Sequence, residues 1–444
     1  MGKITFLGAG STVFAKNLLG DCLLTPALKE VEIALYDIDP VRLDDSYRML
    51  NILNQTMNKG KASIQAYLGL EQRREALRDA AFVINAIQVG GYEPSTVIDF
   101  EIPKKYGLQQ TIGDTLGIGG IFRGLRTIPV LLDISREMEE VCPDAWLLNY
   151  TNPLAIVTGA VLRGSSVRAV GLCHSVQVCA EMLLKELCFE IPAEEVGWKI
   201  AGINHMAWLL EITVKGKDLY PEIKRRAASL LAQQEEGKSV HPDTVRLMLM
   251  LHFGYYVTES SEHNAEYTPY WIKRGRPELI KKFNIPLDEY PRRCIKQIEE
   301  WKRLRTELVE NPSLTHLRTK EYASYLIEAV ATDRPFRIHG NILNRGLIPN
   351  LPPEAVVEVP CLVDRNGVQG CYVDPLPSQC AALNQTNINV QLLTIEAALS
   401  QKRDRVYQAA YLDPRCAAEL TLEEIRALCD DLIEAHGEML PPFT

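Results

Sequence analysis

Two rhythms of apolar and polar residues alternate over the N-terminal part of the chain. Short apolar runs at 3–8, 31–36, 64–68, 82–87, 145–149 and 168–172 read as strands, several of them ending at Gly8, Asp37 or Asn149. Between them, large apolar residues recur every three or four positions, the spacing of one helix face. Phe14, Leu18 and Leu19 follow the first run; Leu43, Met49, Leu50 and Leu53 mark a helix over 41–57; a longer helix is expected near 121–141. Parallel neighbours need a crossover, usually helical, so strict strand–helix alternation predicts a doubly wound parallel sheet.

After about residue 200 the rhythm changes. Strand-like segments at 198–203 and 207–214 precede mixed helix and loop to 330; a strand follows at 356–363, and 378–411 and 421–436 are helical. With 444 residues and no repeat or low-complexity linker, two closely packed units are expected. The fold class is α/β. A Rossmann-like, dinucleotide-binding parallel sheet over 1–200 packs on a C-terminal α+β unit over 201–444, which carries substrate, metal and oligomerisation surfaces.

Charge and composition narrow the partners. A net charge of −9 without a basic tract argues against nucleic acid. No run approaches the ~18 consecutive apolar residues of a membrane span, and the first apolar run is too short for a signal-peptide core. Eleven cysteines, odd in number and irregularly spaced, are the pattern of reduced thiols, so a cytoplasmic enzyme is expected.

Four groups of residues carry candidate chemistry. Gly8 and Gly10, with Ser11, form a strand-to-helix turn able to approach a pyrophosphate, and Asp37 closes the second strand where a ribose 2′-hydroxyl would sit. Val13 stands where the usual third glycine would be; the plain alternative is a glycine turn and a helix cap at Asp37. Cys173-His174 and Asn204-His205 each follow a strand and could converge on one divalent cation, although spacing alone does not decide it. Asn152-Pro153, just past the strand 145–149, offers an amide to the crevice or, equally, a helix cap followed by proline. The polar and aromatic stretch 258–270 holds several acids and bases, including Tyr267, and by itself reads as a solvated loop.

These residues sit in stretches that resemble glycoside hydrolase family 4, in its α-galactosidase branch. The matching segments are residues 4–14 (ITFLGAGSTVF), 34–40 (ALYDIDP), 85–100 (NAIQVGGYEPSTVIDF), 111–120 (TIGDTLGIGG), 149–153 (NYTNP), 171–176 (GLCHSV), 201–207 (AGINHMA), 258–269 (TESSEHNAEYTP), 357–364 (VEVPCLVD) and 385–389 (QTNIN). The resemblance implies Cys173 and His205 as ligands of a divalent metal, typically Mn²⁺, and Asn152 as a substrate-binding residue. It also implies His174 as proton donor, Tyr267 as base, and Asp114 as a second acid or a hydroxyl anchor. NAD falls to Gly8, Gly10, Ser11, Asp37 and Asn85.

The chemistry implied is a redox-assisted elimination: oxidation at C3 of the sugar, loss of the C2 proton, expulsion of the C1 substituent, addition of water and re-reduction. Ordinary two-carboxylate glycosidases do none of this. The expected substrate is an unphosphorylated α-galactoside and the expected assembly a homodimer or homotetramer. An α-galacturonidase, an α-glucosidase, a lactate/malate-type dehydrogenase and a nucleotide-sensing regulator stay open as alternatives.

Overall fold

The apolar runs of the N-terminal half become strands: β1 (Lys3–Leu7), β2 (Glu32–Asp37), β3 (Ser63–Leu68), β4 (Ala80–Asn85), β5 (Trp146–Asn149) and β6 (Arg168–Leu172). They pair in the order β3-β2-β1-β4-β5-β6, all parallel, which is the dinucleotide-binding order. Every residue of β1 is buried, as expected where helices cover both faces, whereas the edge strand β3 is mostly exposed. This is a computed structural model, and it describes residues 2–235 and 240–444.

The second half extends the same sheet. Strands β7 (Val196–Ile203), β8 (Met206–Val214), β9 (Lys217–Asp218), β10 (Tyr256–Val257), β11 (Phe336–Leu343), β12 (Val356–Asp364) and β13 (Gly367–Gly370) complete 13 strands among the described residues. The sheet runs on from β6 through β11, β12, β7 and β8 to β10, each step antiparallel. The α/β class is therefore observed, with one mixed sheet passing through both halves of the chain.

β11 has no counterpart in the apolar pattern. Its buried positions include His339 and Asn341, so polar residues occupy inward sites and break the alternation. The C-terminal helical stretch divides into Ser378–Ser400 and Arg403–Tyr411 at Gln401, whose φ is +55°. The helix expected near 121–141 begins earlier and spans Gly117–Val141.

A buried ionic knot ties the last long helix, Leu422–His436, to the first half. Asp99 receives both Arg126 guanidinium nitrogens, at 3.0 and 2.6 Å, and faces His436 Nε2 at 2.9 Å. Removing one partner of such a pair strands a buried charge and costs about 3–5 kcal/mol. None of the described helices is long and apolar enough to cross a membrane.

Candidate active site

The carboxyl ends of the parallel strands share one edge, where ligands bind open α/β sheets. Gly8, following β1, has φ +85°, and a Cβ there would lie 2.7 Å from the Ala86 carbonyl oxygen, so the turn demands glycine. Gly10 donates its N–H to Asp37 Oδ2 at 2.6 Å, and the Asp39 N–H donates to Oδ1 at 2.9 Å. The helix cap belongs to Asp39, which accepts from Val41 and Arg42, so Asp37 is not the cap. Ser11 precedes the helix Thr12–Leu24 without a side-chain cap, leaving the first N–H groups available to an anion. Glycine turn, uncapped helix and terminal acid together fit a dinucleotide's phosphates and ribose.

Asn85 lies deeper. It is fully buried, and its amide donates to Asn149 Oδ1 at 2.8 Å and Thr151 Oγ1 at 3.1 Å. These bonds brace β4 against β5 beneath the crevice; none joins Asn85 to the glycine turn.

Farther along the same edge, three donors converge. Cys173 follows β6, His205 lies in the tight turn from β7 to β8, and Glu259 follows β10. Their ligand atoms all lie within 4.8 Å of one another. Sulfur, imidazole nitrogen and carboxylate oxygen form a mixed set that suits a divalent transition metal. Burial, with Glu259 and Glu358 adding to it, pushes the Cys173 thiol well above its ordinary value. Burial works against Glu259 in the same way, but His205, His263, His174 and Arg246 outweigh it and hold its carboxyl below the usual range. The Thr115 hydroxyl is 3.2 Å from His205 Nδ1, which leaves Nε2 facing Glu259 at 3.7 Å. Orientation of a ligand imidazole through its other nitrogen is the usual supporting arrangement of a metal site.

Tyr267, from the helix Ser261–Tyr267, brings its hydroxyl to 3.5 Å from His205 Nδ1. Burial, followed by Asp114, Glu266 and Glu259, pushes this phenol well above its ordinary value. Asp114 Oδ2 accepts from the Asn152 amide at 2.9 Å, and Oδ1 accepts from the Thr115 hydroxyl at 2.7 Å. Burial would raise the Asp114 carboxyl, but Arg123, His263 and His205 prevail and hold it below its usual range. Arg123 also donates to the Asn152 carbonyl and to the Tyr290 hydroxyl, both at 3.1 Å. The Asn152-Pro153 bond is cis, and Pro153, not Asn152, immediately precedes the helix Leu154–Gly164.

His174 stands apart. It is exposed at the start of the helix Ser175–Glu186, and its charge acts on Glu259 and Glu321 without a hydrogen bond to the converging group among the described residues. The stretch 258–270 is not the solvated loop its polarity suggests: Ser261 and residues 263–267 are all buried. Glu259 and His263 escaped assignment because both sit within this polar stretch. His263 packs 5.1 Å from the His205 ring, and its Nε2 lies 3.8 Å from Asp114. The only sequence signal for either was the density of acids and imidazoles there.

The family profile of family 4 glycosyl hydrolases matches residues 3–189, and that of their C-terminal domain matches residues 200–416. The chain belongs to glycoside hydrolase family 4. Among its curated family 4 relatives, an α-galactosidase of Bacillus subtilis is 61% identical over 443 residues, 100% of both chains. An α-galactosidase of Rhizobium meliloti is 33% identical, covering 99% of this chain and 89% of the relative. A solved structure of a 6-phospho-α-glucosidase from gut microorganisms in complex with NAD and Mn²⁺ shares the fold, with a TM-score of 0.80 at 22% identity over 100% of both chains.

Proposed function

We propose that this family 4 hydrolase cleaves α-galactosides with the help of NAD and a divalent cation, manganese by preference. The observation that carries the reading is the meeting of Cys173, His205 and Glu259 within 4.8 Å, beside the Tyr267 hydroxyl and the Asp114–Asn152 pair. Gly8, Gly10, Ser11 and Asp37 would hold the dinucleotide, with Asn85 shaping the floor beneath it; Cys173, His205 and Glu259 would hold the cation. When bound, the two groups would supply a reversible hydride acceptor for C3 and the Lewis acidity that makes the C2 hydrogen acidic.

The rest falls to the protein. Asp114, held ionised, accepts a sugar hydroxyl, and Asn152, fixed by Asp114 and Arg123, donates to another. Tyr267 takes the C2 proton and later returns one. His174, exposed at the start of its helix, protonates the departing oxygen. Water then adds at C1. Two α-galactosidases among the relatives support the galactoside assignment. Residues 1–200 would form the dinucleotide unit and 201–444 the unit for substrate, metal and assembly, in a cytoplasmic homodimer or homotetramer that binds neither nucleic acid nor membrane.

Hydrolysis of a nitrophenyl α-galactoside in D₂O, with NAD⁺, Mn²⁺ and thiol, tests this. Deuterium is expected at C2 of the released galactose, and the C3 hydrogen is expected to return unexchanged. Sugar released with its C2 hydrogen wholly retained would refute the elimination, and steady NADH accumulation would point to a dehydrogenase.

A further inference from the structure

Asp114 and Tyr267 come from segments far apart in sequence, yet one side chain links those segments. Glu266, the residue before Tyr267, is buried and turns its carboxylate to the loop 109–115. Oε2 accepts the Thr111 N–H at 2.9 Å, and Oε1 accepts the Gly113 N–H at 2.7 Å. The same loop is tied at neighbouring points. Arg415 donates to the Gln109 carbonyl at 2.6 Å, Asp288 N–H to the Gln110 carbonyl at 2.9 Å, and the Thr111 hydroxyl to the Glu262 carbonyl at 2.7 Å. Among the described residues, Glu266 alone takes the N–H groups of Thr111 and Gly113, three residues and one residue before Asp114.

We propose that Glu266 is a positioning residue, whose forked carboxylate sets the distance between the Asp114 carboxylate and the Tyr267 hydroxyl and so the pose of the sugar between them. The inference rests on the roles given above to Asp114 and Tyr267. Its physical basis is the number of acceptors. Two backbone N–H groups two residues apart converge on one side chain; burial pushes this carboxyl up to about 7, and above that pH its carboxylate offers an oxygen to each. A glutamine of the same shape keeps one acceptor and turns an NH₂ group against the other N–H. The loop must then shift, and an error of about 1 Å in a reacting geometry costs on the order of 100-fold in rate.

The experiment compares the parent with Glu266→Gln, Asp114→Asn and the double variant, all loaded with NAD⁺ and Mn²⁺. The affinities for Mn²⁺ and NAD⁺ should stay close to the parent, because Glu266 bonds to Thr111 and Gly113 and to none of the residues assigned to either group; the melting temperature should fall only modestly, as one buried N–H is left unsatisfied. The kcat/KM for a nitrophenyl α-galactoside should fall about 10–100-fold in Glu266→Gln, with KM raised as well as kcat lowered. If Glu266 acts through Asp114, adding Glu266→Gln to Asp114→Asn should cost no more than about threefold further, because residues in one network do not add. Multiplicative losses in the double variant, or a parental kcat/KM in Glu266→Gln, overturn the proposal. Should the glutamine variant fail to fold, Glu266→Asp, which keeps both acceptors but withdraws them by one carbon, is read by the same criteria. A parent that cleaves no α-galactoside refutes the functional reading itself, a result distinct from an active parent with an unaffected variant.

Discussion

Glu259→Gln isolates the charge of the third donor while preserving its size and one oxygen. In the parent, the Glu259 carboxylate lies 3.7 Å from His205 Nε2 and 3.7 Å from His263 Nδ1, and its side chain is about one-fifth exposed. A unit charge acting over ~4 Å at an effective dielectric near 20 is worth about 4 kcal/mol before desolvation, and twice that toward a dication. The cation's lost hydration and the carboxylate's present attraction to the imidazoles offset most of this. The net loss expected is about 1.4–2.8 kcal/mol, a 10–100-fold weaker Kd for Mn²⁺. The assay is titration of metal-free, NAD-free protein with Mn²⁺, reading free ion by electron paramagnetic resonance. Cys173→Ser serves as the reference, since a hydroxyl is a poor replacement for thiolate. A Kd within about twofold of the parent in Glu259→Gln, alongside clear weakening in Cys173→Ser, would refute the ligand assignment and leave Glu259 as a partner of the two histidines only.

Asp37→Ala removes the acceptor of both the Gly10 and Asp39 N–H groups as well as the proposed ribose contact. NAD⁺ should bind about tenfold more weakly by calorimetry, the cost of one or two hydrogen bonds, and parental affinity would show that another residue reads the ribose. Tyr267→Phe keeps the ring beside His205 and deletes the hydroxyl; turnover should fall about 10²–10⁴-fold and C2 exchange with it, and exchange persisting at the parental rate would move the base elsewhere. His339 supplies a pH dependence. Burial, then Arg337, lowers its imidazole to about 3, below the ordinary 6.5, so its contribution to stability is complete above pH 6.5 and is lost as the pH falls toward 3. At pH 4 the loss is roughly 3 kcal/mol, so His339→Gln should flatten the acid limb of the unfolding curve measured by denaturant titration, and an unchanged limb would contradict it.

What was legible in the chain is what local pattern encodes. The parallel strands from β1 to β6 could be located because each except the exposed edge strand β3 buries a continuous apolar run between helices. The pairing of Gly8 and Gly10 with Asp37 followed from one strand–helix–strand unit whose crossover has a single favoured hand. Resemblance supplied Cys173, His205 and Tyr267, and the fold brings those three together at one end of the sheet.

The remainder was decided by contacts that span the chain. β11 was hidden because buried His339 and Asn341 look, in one dimension, like exposed positions. Glu259 and His263 were hidden for the same reason, since a polar stretch carries no mark of being turned inward. At the end of β4, the Asn85 amide nitrogen is held by Asn149 across the ladder, while its Oδ1 has no partner among the described residues. Neither the Asp114–Asn152 bond nor the grip of Glu266 on Thr111 and Gly113 has any periodic signal. Periodicity reports which face of an element is buried. Which buried polar groups then meet is set by long-range strand order and by the high cost of leaving any of them unpaired, and those are properties of the folded chain alone.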